Sequence, residues 1–132
     1  LVRLNITEGG SVPFLPHILQ LTYYKNTGAA FSIFEEHTWI LTLISAAASV
    51  LIIVLMVKKT FNHPFGMVSL ALVLAGAVGN LIDRLFLGYV TDMFQTLFMN
   101  FPIFNVADIC IVCGGIAFCV YFLLFCKEED KA

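Results

Sequence analysis

WILTLISAAASVLIIVLMV, residues 39–57, decides the fold of this 132-residue chain. The run holds no charged side chain. At about 1.5 Å per residue, a helix of that length reaches across the ~30 Å hydrocarbon core of a bilayer. Trp39, at its start, has the amphipathic ring that favours the lipid–water boundary. Working outward, two further apolar stretches of spanning length follow, 66–87 and 104–126. The first of these is rich in small residues, among them Ala71, Ala75, Gly76 and Gly79, which let another helix approach closely. The composition agrees. Hydrophobic residues make up 60% of the chain and charged residues 12%, about half the charged fraction of a soluble domain; mean hydropathy is +0.93. The chain reads as one membrane-embedded domain over residues 1–132, an all-α membrane protein with three visible spans. A net charge of −2 and the lack of a basic run give no footing for a nucleic-acid partner.

The lysines set the orientation. Lys58 and Lys59 lie in the short link after the first span, and Lys127 and Lys131 in the tail after the third. With three spans these segments share one side, which the positive-inside rule makes cytoplasmic. Residues 1–38 and the link 88–103 then lie outside. In the first, turn signals (Gly9-Gly10, Pro13, Pro16, Asn26-Thr27-Gly28) separate short apolar stretches, and Leu19-Gln20-Leu21-Thr22-Tyr23-Tyr24 has strand chemistry. A small β-element is expected there. The link 88–103 carries Tyr89, Met93, Phe94, Phe98, Met99 and Phe101, and reads as an interfacial loop placed to cover a site. The chain opens on Leu1 rather than Met, and its N-terminus lands outside with no helix to deliver it, so a further helix is expected upstream.

Against this apolar background the acids stand out. An ionised Asp at mid-bilayer costs about 2.5–3.5 kcal/mol on insertion scales, so carboxylates at the ends of spans are functional candidates. Asp83-Arg84, Asp92 and Asp108 all fall near the outer face. Asn80-Leu81-Ile82-Asp83 closes one span and Asn105-Val106-Ala107-Asp108 opens the next. Positions i and i+3 share a helix face, and antiparallel helices bring the two polar pairs to one depth, with Arg84 offsetting part of the negative charge. Two carboxyls a few ångströms apart do not both ionise easily; one keeps a proton while the other acts as a base on water. That is the chemistry of an aspartic dyad. Spacing alone leaves open whether Asp83 or Asp92 partners Asp108. Blander readings stand beside it: Asp83-Arg84 as an interfacial cap or ion pair, Asp92 as a loop residue or N-cap, Asp108 as a first-turn acid favoured by the helix dipole.

Other chemistries find less support. His17 and His63 fall on opposite sides of the membrane, and His37 beside Glu35-Glu36 reads as a solvated polar turn. Cys110, Cys113, Cys119 and Cys126 all lie in the last span. The Cys110-Ile-Val-Cys113 spacing lacks a second ligand pair and reads as packing thiols rather than a metal knuckle. There is no Walker loop, dinucleotide fingerprint or His-Glu-x-x-His motif, and neither metal nor organic cofactor is expected. Two rival classes remain. An ion or proton relay would use intramembrane carboxylates but finds no acid on the inner half. A small helical membrane adaptor would use the Ala71, Ala75, Gly79 face.

Four ordered blocks carry a resemblance. Asn26-Thr27-Gly28-Ala29-Ala30-Phe31, Gly79-Asn80-Leu81-Ile82-Asp83-Arg84, Gly88-Tyr89-Val90-Thr91-Asp92-Met93 and Phe101-Pro102-Ile103-Phe104-Asn105-Val106-Ala107-Asp108 resemble the signature blocks of the lipoprotein signal peptidases (type II), with Met93 where the family usually has Phe. The resemblance extends over nearly the whole chain, including Gly10-Ser11-Val12-Pro13. It implies a four-helix transmembrane bundle with an extracytoplasmic β-cradle in the bacterial cytoplasmic (inner) membrane. The activity it implies is aspartic endopeptidase cleavage of diacylglyceryl-modified prolipoproteins, on the N-terminal side of the lipidated cysteine, by a monomer among membrane lipids. It also makes the choice that spacing left open: the positions matching the catalytic aspartates are Asp92 and Asp108. Asn26 and Arg84 match positions read as contacts to the substrate backbone, and Asn80, Asp83 and Asn105 positions that support and orient the site. The family's first helix has no counterpart in the sequence, in line with the helix expected upstream.

Overall fold

The computed structural model describes residues 1–28 and 37–125. Part of the first signature block (Ala29, Ala30, Phe31), Glu35-Glu36, Cys126 and the lysines of the tail lie outside the described residues. The elements run α1 (Val2–Asn5), β1 (Ser11–Leu15), β2 (Leu19–Asn26), α2 (Thr38–Val57), α3 (Pro64–Leu87), β3 (Val90–Thr96) and α4 (Val106–Leu124). Among the described residues three helices, α2, α3 and α4, are long and apolar enough to cross a membrane. α3 is the most buried of them and α4 the least. Leu43, Val50, Leu51, Val112, Ile116 and Leu123 are among their exposed apolar side chains, an arrangement that suits lipid as the solvent.

The helix ends explain where the spans differ from the sequence expectation. α3 begins at Pro64, two residues before Gly66, because Pro is well placed in a first helical turn and the Phe65 N–H is capped by His63 Nδ1 at 3.2 Å. It stops at Leu87 because Gly88 adopts φ +78° and returns its N–H to the Arg84 carbonyl at 3.1 Å. α4 begins at Val106, not 104, because the backbone of Phe104 is committed elsewhere. Its carbonyl accepts the N–H groups of Met93 and Phe94 at 2.9 and 2.8 Å, and its own N–H donates to Phe94 at 3.1 Å.

The chain divides into two compact units. The helical unit comprises Ile44–Leu81 and the described residues from Val106 on. Here α3 and α4 pack through glycine. A Cβ on Gly76 would collide with the Ala107 carbonyl and the Ile111 side chain, and one on Gly114 would meet Leu72, Val73 and the Ser69 carbonyl. At the other end of this packing Tyr121 is fully buried, with Phe61, Phe118 and Phe125 around it and His63 stacked on it at 5.8 Å. His63 thus serves as a cap and a packing ring.

The sheet unit comprises the described residues of Leu1–Leu43 together with Ile82–Asn105. Its antiparallel sheet has the order β1-β2-β3. The expectation of a β-element in the first 38 residues is met by β1 and β2. The link 88–103, read as an interfacial loop, instead contributes the third strand. Val90, Thr91 and Phe94 have the β-branched and aromatic side chains a strand favours, but the partner strand lies some seventy residues upstream, beyond any local signal. β2 and β3 do not pair evenly. Leu21 faces Phe94 and Tyr24 faces Asp92, so Thr22 and Tyr23 together oppose Met93 alone in a β-bulge. The bulged residues are held from the other side: Thr22 Oγ1 donates to the Gly10 carbonyl at 2.8 Å, and the Gly9 N–H donates to the Tyr23 carbonyl at 2.9 Å.

A polar rivet ties the Tyr89 end of β3 to β2. The Tyr23 and Tyr89 hydroxyls lie 3.0 Å apart, Lys25 Nζ sits 5.4 Å from the Tyr89 ring centre, and Lys25 pairs with Glu8 at 2.8 Å. The hydrogen bond with Tyr89, then burial, raises the Tyr23 pKa above its ordinary 10.0, and the bond to Glu8 raises that of Lys25 above 10.5. Both shifts act in one direction. Folding favours the protonated form of each group, so its stabilisation is complete below the ordinary values and is lost as pH rises through the raised ones. The melting midpoint of the sheet unit is expected to fall as pH rises above the ordinary 10.0 of tyrosine and 10.5 of lysine. The fall should be smaller in a Glu8→Gln, Tyr89→Phe double variant, as read by circular dichroism; equal falls would discard the rivet.

Candidate active site

Asp92 stands in the middle of the sheet unit's hydrogen bonding and is 1% exposed. Each carboxyl oxygen takes a different amide: Asn26 Nδ2 donates to Oδ2 at 2.8 Å and Asn105 Nδ2 donates to Oδ1 at 2.9 Å. The Asn26 orientation follows from its other end. Its Oδ1 accepts the Gly28 N–H at 2.9 Å, and because a backbone N–H requires an oxygen, Nδ2 has to face Asp92. The amide of Asn26, a position expected to contact the substrate backbone, is thus hydrogen-bonded at both ends, to Gly28 and to Asp92. Asn105 is one of the positions expected to support and orient the site. It sits one residue before α4, 4% exposed, with its amide on Asp92.

Asp83 and Arg84 belong to the last turn of α3 and lie in the same unit, both half-buried. Asp83 Oδ2 accepts the backbone N–H of Thr91 at 2.9 Å. It therefore holds the residue next to Asp92 and anchors the start of β3. Asparagine retains an acceptor oxygen and alanine does not. Asp83→Asn is expected to keep β3 in place, whereas Asp83→Ala leaves a buried N–H without a partner at a cost of about 1–3 kcal/mol. Thermal melts of the two variants separate these outcomes, and equal midpoints would refute the anchoring role.

The helical unit holds the other two site residues. Asn80 Nδ2 donates to Asp108 Oδ1 at 2.9 Å, with Asn80 7% exposed and Asp108 half-buried. The Asn-x-x-Asp echo seen in the sequence takes on a physical form here. In each block the asparagine's amide serves an aspartate from a different block: Asn80 serves Asp108, and Asn105 serves Asp92. Sequence reasoning had no signal for this exchange, nor for the bulge that places Tyr24 opposite Asp92, nor for the Thr91 N–H on Asp83. Each depends on register between distant segments.

The sequence model of the family described as Signal peptidase (SPase) II matches residues 1–124. The chain is 48% identical over 128 residues to the lipoprotein signal peptidase of Enterococcus faecalis (strain ATCC 700802 / V583), covering 97% of this chain and 77% of that protein. It is 42% identical over 125 residues to the lipoprotein signal peptidase of Latilactobacillus sakei subsp. sakei (strain 23K), covering 95% and 82%. A bacterial membrane enzyme solved by the in meso method at 1.9 Å resolution superposes with a TM-score of 0.81 at 31% identity, over 92% of this chain and 79% of that one. With three membrane-length helices among the described residues, a three-stranded sheet and a match along nearly all of its length, this multi-pass membrane protein belongs to the signal peptidase II family.

Proposed function

We propose that Asp92 and Asp108 form the aspartic pair with which this peptidase removes the signal peptide from diacylglyceryl-modified prolipoproteins, cleaving N-terminal to the lipidated cysteine. The observation that carries the reading is the holding of Asp92, 1% exposed, between the amides of Asn26 and Asn105. In the helical unit Asp108 is held by the amide of Asn80. Both aspartates also stand at the family's motif positions. The adaptor and relay readings gain nothing from relatives that are themselves signal peptidases.

The chemistry follows from a carboxyl pair. One aspartate, ionised, takes a proton from water as the oxygen adds to the scissile carbonyl. The other, protonated, hydrogen-bonds that carbonyl and supports the tetrahedral intermediate. Collapse of the intermediate breaks the C–N bond, and the proton taken from water passes to the leaving nitrogen. The products are a signal peptide with a new carboxylate and a lipoprotein with a free amine on its modified cysteine. No step calls on a metal, and chelators are expected to leave the rate unchanged. Lys58 and Lys59, exposed in the α2–α3 link, support a cytoplasmic position for that link in the inner membrane. The aspartates then work at the extracytoplasmic face, with the signal helix entering laterally from lipid, and a monomer suffices.

The test is cleavage of a diacylglyceryl prolipoprotein by the purified enzyme in detergent micelles. Asp92→Asn and Asp108→Asn are expected to be inactive while folded, and Asp83→Asn to keep partial activity. An active Asp92→Asn beside a dead Asp83→Asn would transfer the pair to Asp83 and Asp108.

A further inference from the structure

We infer that Tyr24 determines specificity: its ring forms a wall against the substrate side chain that immediately precedes the cleaved bond. The inference rests on the assignment of Asp92 to the reaction. Tyr24 is the direct cross-strand partner of Asp92, and partners in an antiparallel pair project from the same face with Cβ atoms about 4.5–5.5 Å apart. The bulge creates this relation. Without the extra residue at Thr22-Tyr23, Tyr23 would stand opposite Asp92 instead.

The two adjacent tyrosines consequently do different work. Tyr23 is buried, with its hydroxyl on Tyr89. Tyr24 is 45% exposed, and among the described residues nothing pairs with its hydroxyl. Two other side chains near it on that face are committed: Asn26 bonds Asp92, and Val90 is buried. Among the described residues Tyr24 thus presents an exposed aromatic ring one strand spacing from the carboxylate. A group that activates water or holds the scissile carbonyl has to lie within hydrogen-bond reach of that carbonyl. A ring one spacing away then meets the side chain of the residue that supplies the carbonyl. A rigid ring there admits a small side chain and obstructs a branched one. Differences of that size in an apolar pocket are worth about 10–200-fold in kcat/KM.

The test uses the purified enzyme in micelles with prolipoproteins that differ only in the residue before the cleaved bond, as Gly, Ala, Val or Leu. Wild type is expected to favour Ala over Leu. Tyr24→Ala should raise the Leu-to-Ala ratio of kcat/KM at least about tenfold, and Tyr24→Phe should leave it unchanged. If Tyr24→Ala does not fold, Tyr24→Val, which keeps strand preference, reads the same ratio. An unchanged ratio in the folded variants overturns the inference. So does a ratio that changes only with the length of the diacylglyceryl chains, which would turn the ring toward the lipid. Asp92→Asn runs alongside. If it cleaves at the wild-type rate, the site assignment itself has failed. If it is dead while the ratio is unmoved by Tyr24 substitutions, only the specificity role has failed.

Discussion

Asp92→Asn is expected to lower kcat/KM by about 10⁴-fold, the upper range for removal of an acid–base group, and to destabilise the sheet unit without unfolding it. The first effect follows from chemistry: a carboxamide neither takes a proton from water nor offers an acidic O–H to a carbonyl. The second follows from the two amides on Asp92. Both Asn26 Nδ2 and Asn105 Nδ2 donate to it. An asparagine at 92 presents one oxygen and one NH₂, so one donor would meet another. The Gly28 N–H locks Asn26 in place, so Asn105 has to turn over and surrender its present bonding. Leaving a buried polar group unsatisfied costs about 1–3 kcal/mol, enough to show as a lower melting midpoint. An Asp92→Asn, Asn105→Asp double variant returns an acceptor to the pair and is expected to recover stability but not cleavage. A double variant that recovers both would mean that the carboxylate acts at either position and that Asp92 has no special role. Cleavage assays and melts on the same preparations decide between these outcomes.

Gly76→Val is expected to have the largest effect among the helix substitutions. A Cβ at position 76 would run into the Ala107 carbonyl and Ile111. Backbone on α4 cannot swing aside as a flexible side chain can, so the helices must separate. Overpacking costs about 1–3 kcal/mol in general and more where backbone is struck. Asn80 lies one turn along α3 and its partner Asp108 directly follows Ala107, so the same separation pulls on the Asn80–Asp108 bond. Activity is expected to fall at least about 100-fold together with the melting midpoint, the order of loss that a misplacement of about 1 Å produces. Gly115 supplies the control. Nothing lies within 4 Å of a Cβ there, and Gly115→Ala should gain up to ~1 kcal/mol from helix preference alone. Similar behaviour of the two variants would mean that α3 and α4 do not depend on close approach at Gly76.

The spans were legible because membrane length and apolar content are local properties. Residues 39–57 needed no partner to be read as a helix, and α2 runs Thr38–Val57. The ends were less legible. His63 caps α3 two residues upstream of the expected start, and the backbone of Phe104 is taken by β3. The acids at the ends of spans stood out because charge is costly in lipid, but their spacing could not choose between Asp83 and Asp92. The sheet unit gives these two different hydrogen-bonding roles: Asp83 accepts a backbone N–H, while Asp92 is buried between two side-chain amides. β3 escaped notice because its aromatic and methionine residues are as common at a membrane interface as in a strand. Only pairing with β2 distinguishes the two cases.

Taken alone, the amino-acid sequence specified a membrane protein with three apolar helices, a strand-forming segment ahead of them and a set of polar blocks at the helix ends. These follow from hydropathy, turn chemistry and the cost of burying charge, all of which act on neighbouring residues. Three things belong to the tertiary structure: which amide meets which carboxylate, the bulge that makes Tyr24 rather than Tyr23 the partner of Asp92, and the close approach of α3 to α4 at Gly76. The reason is register. A hydrogen bond between residues 26 and 92, or a shift of one residue in a strand pair, is set by how distant segments align in space, and local side-chain periodicity carries no record of that alignment.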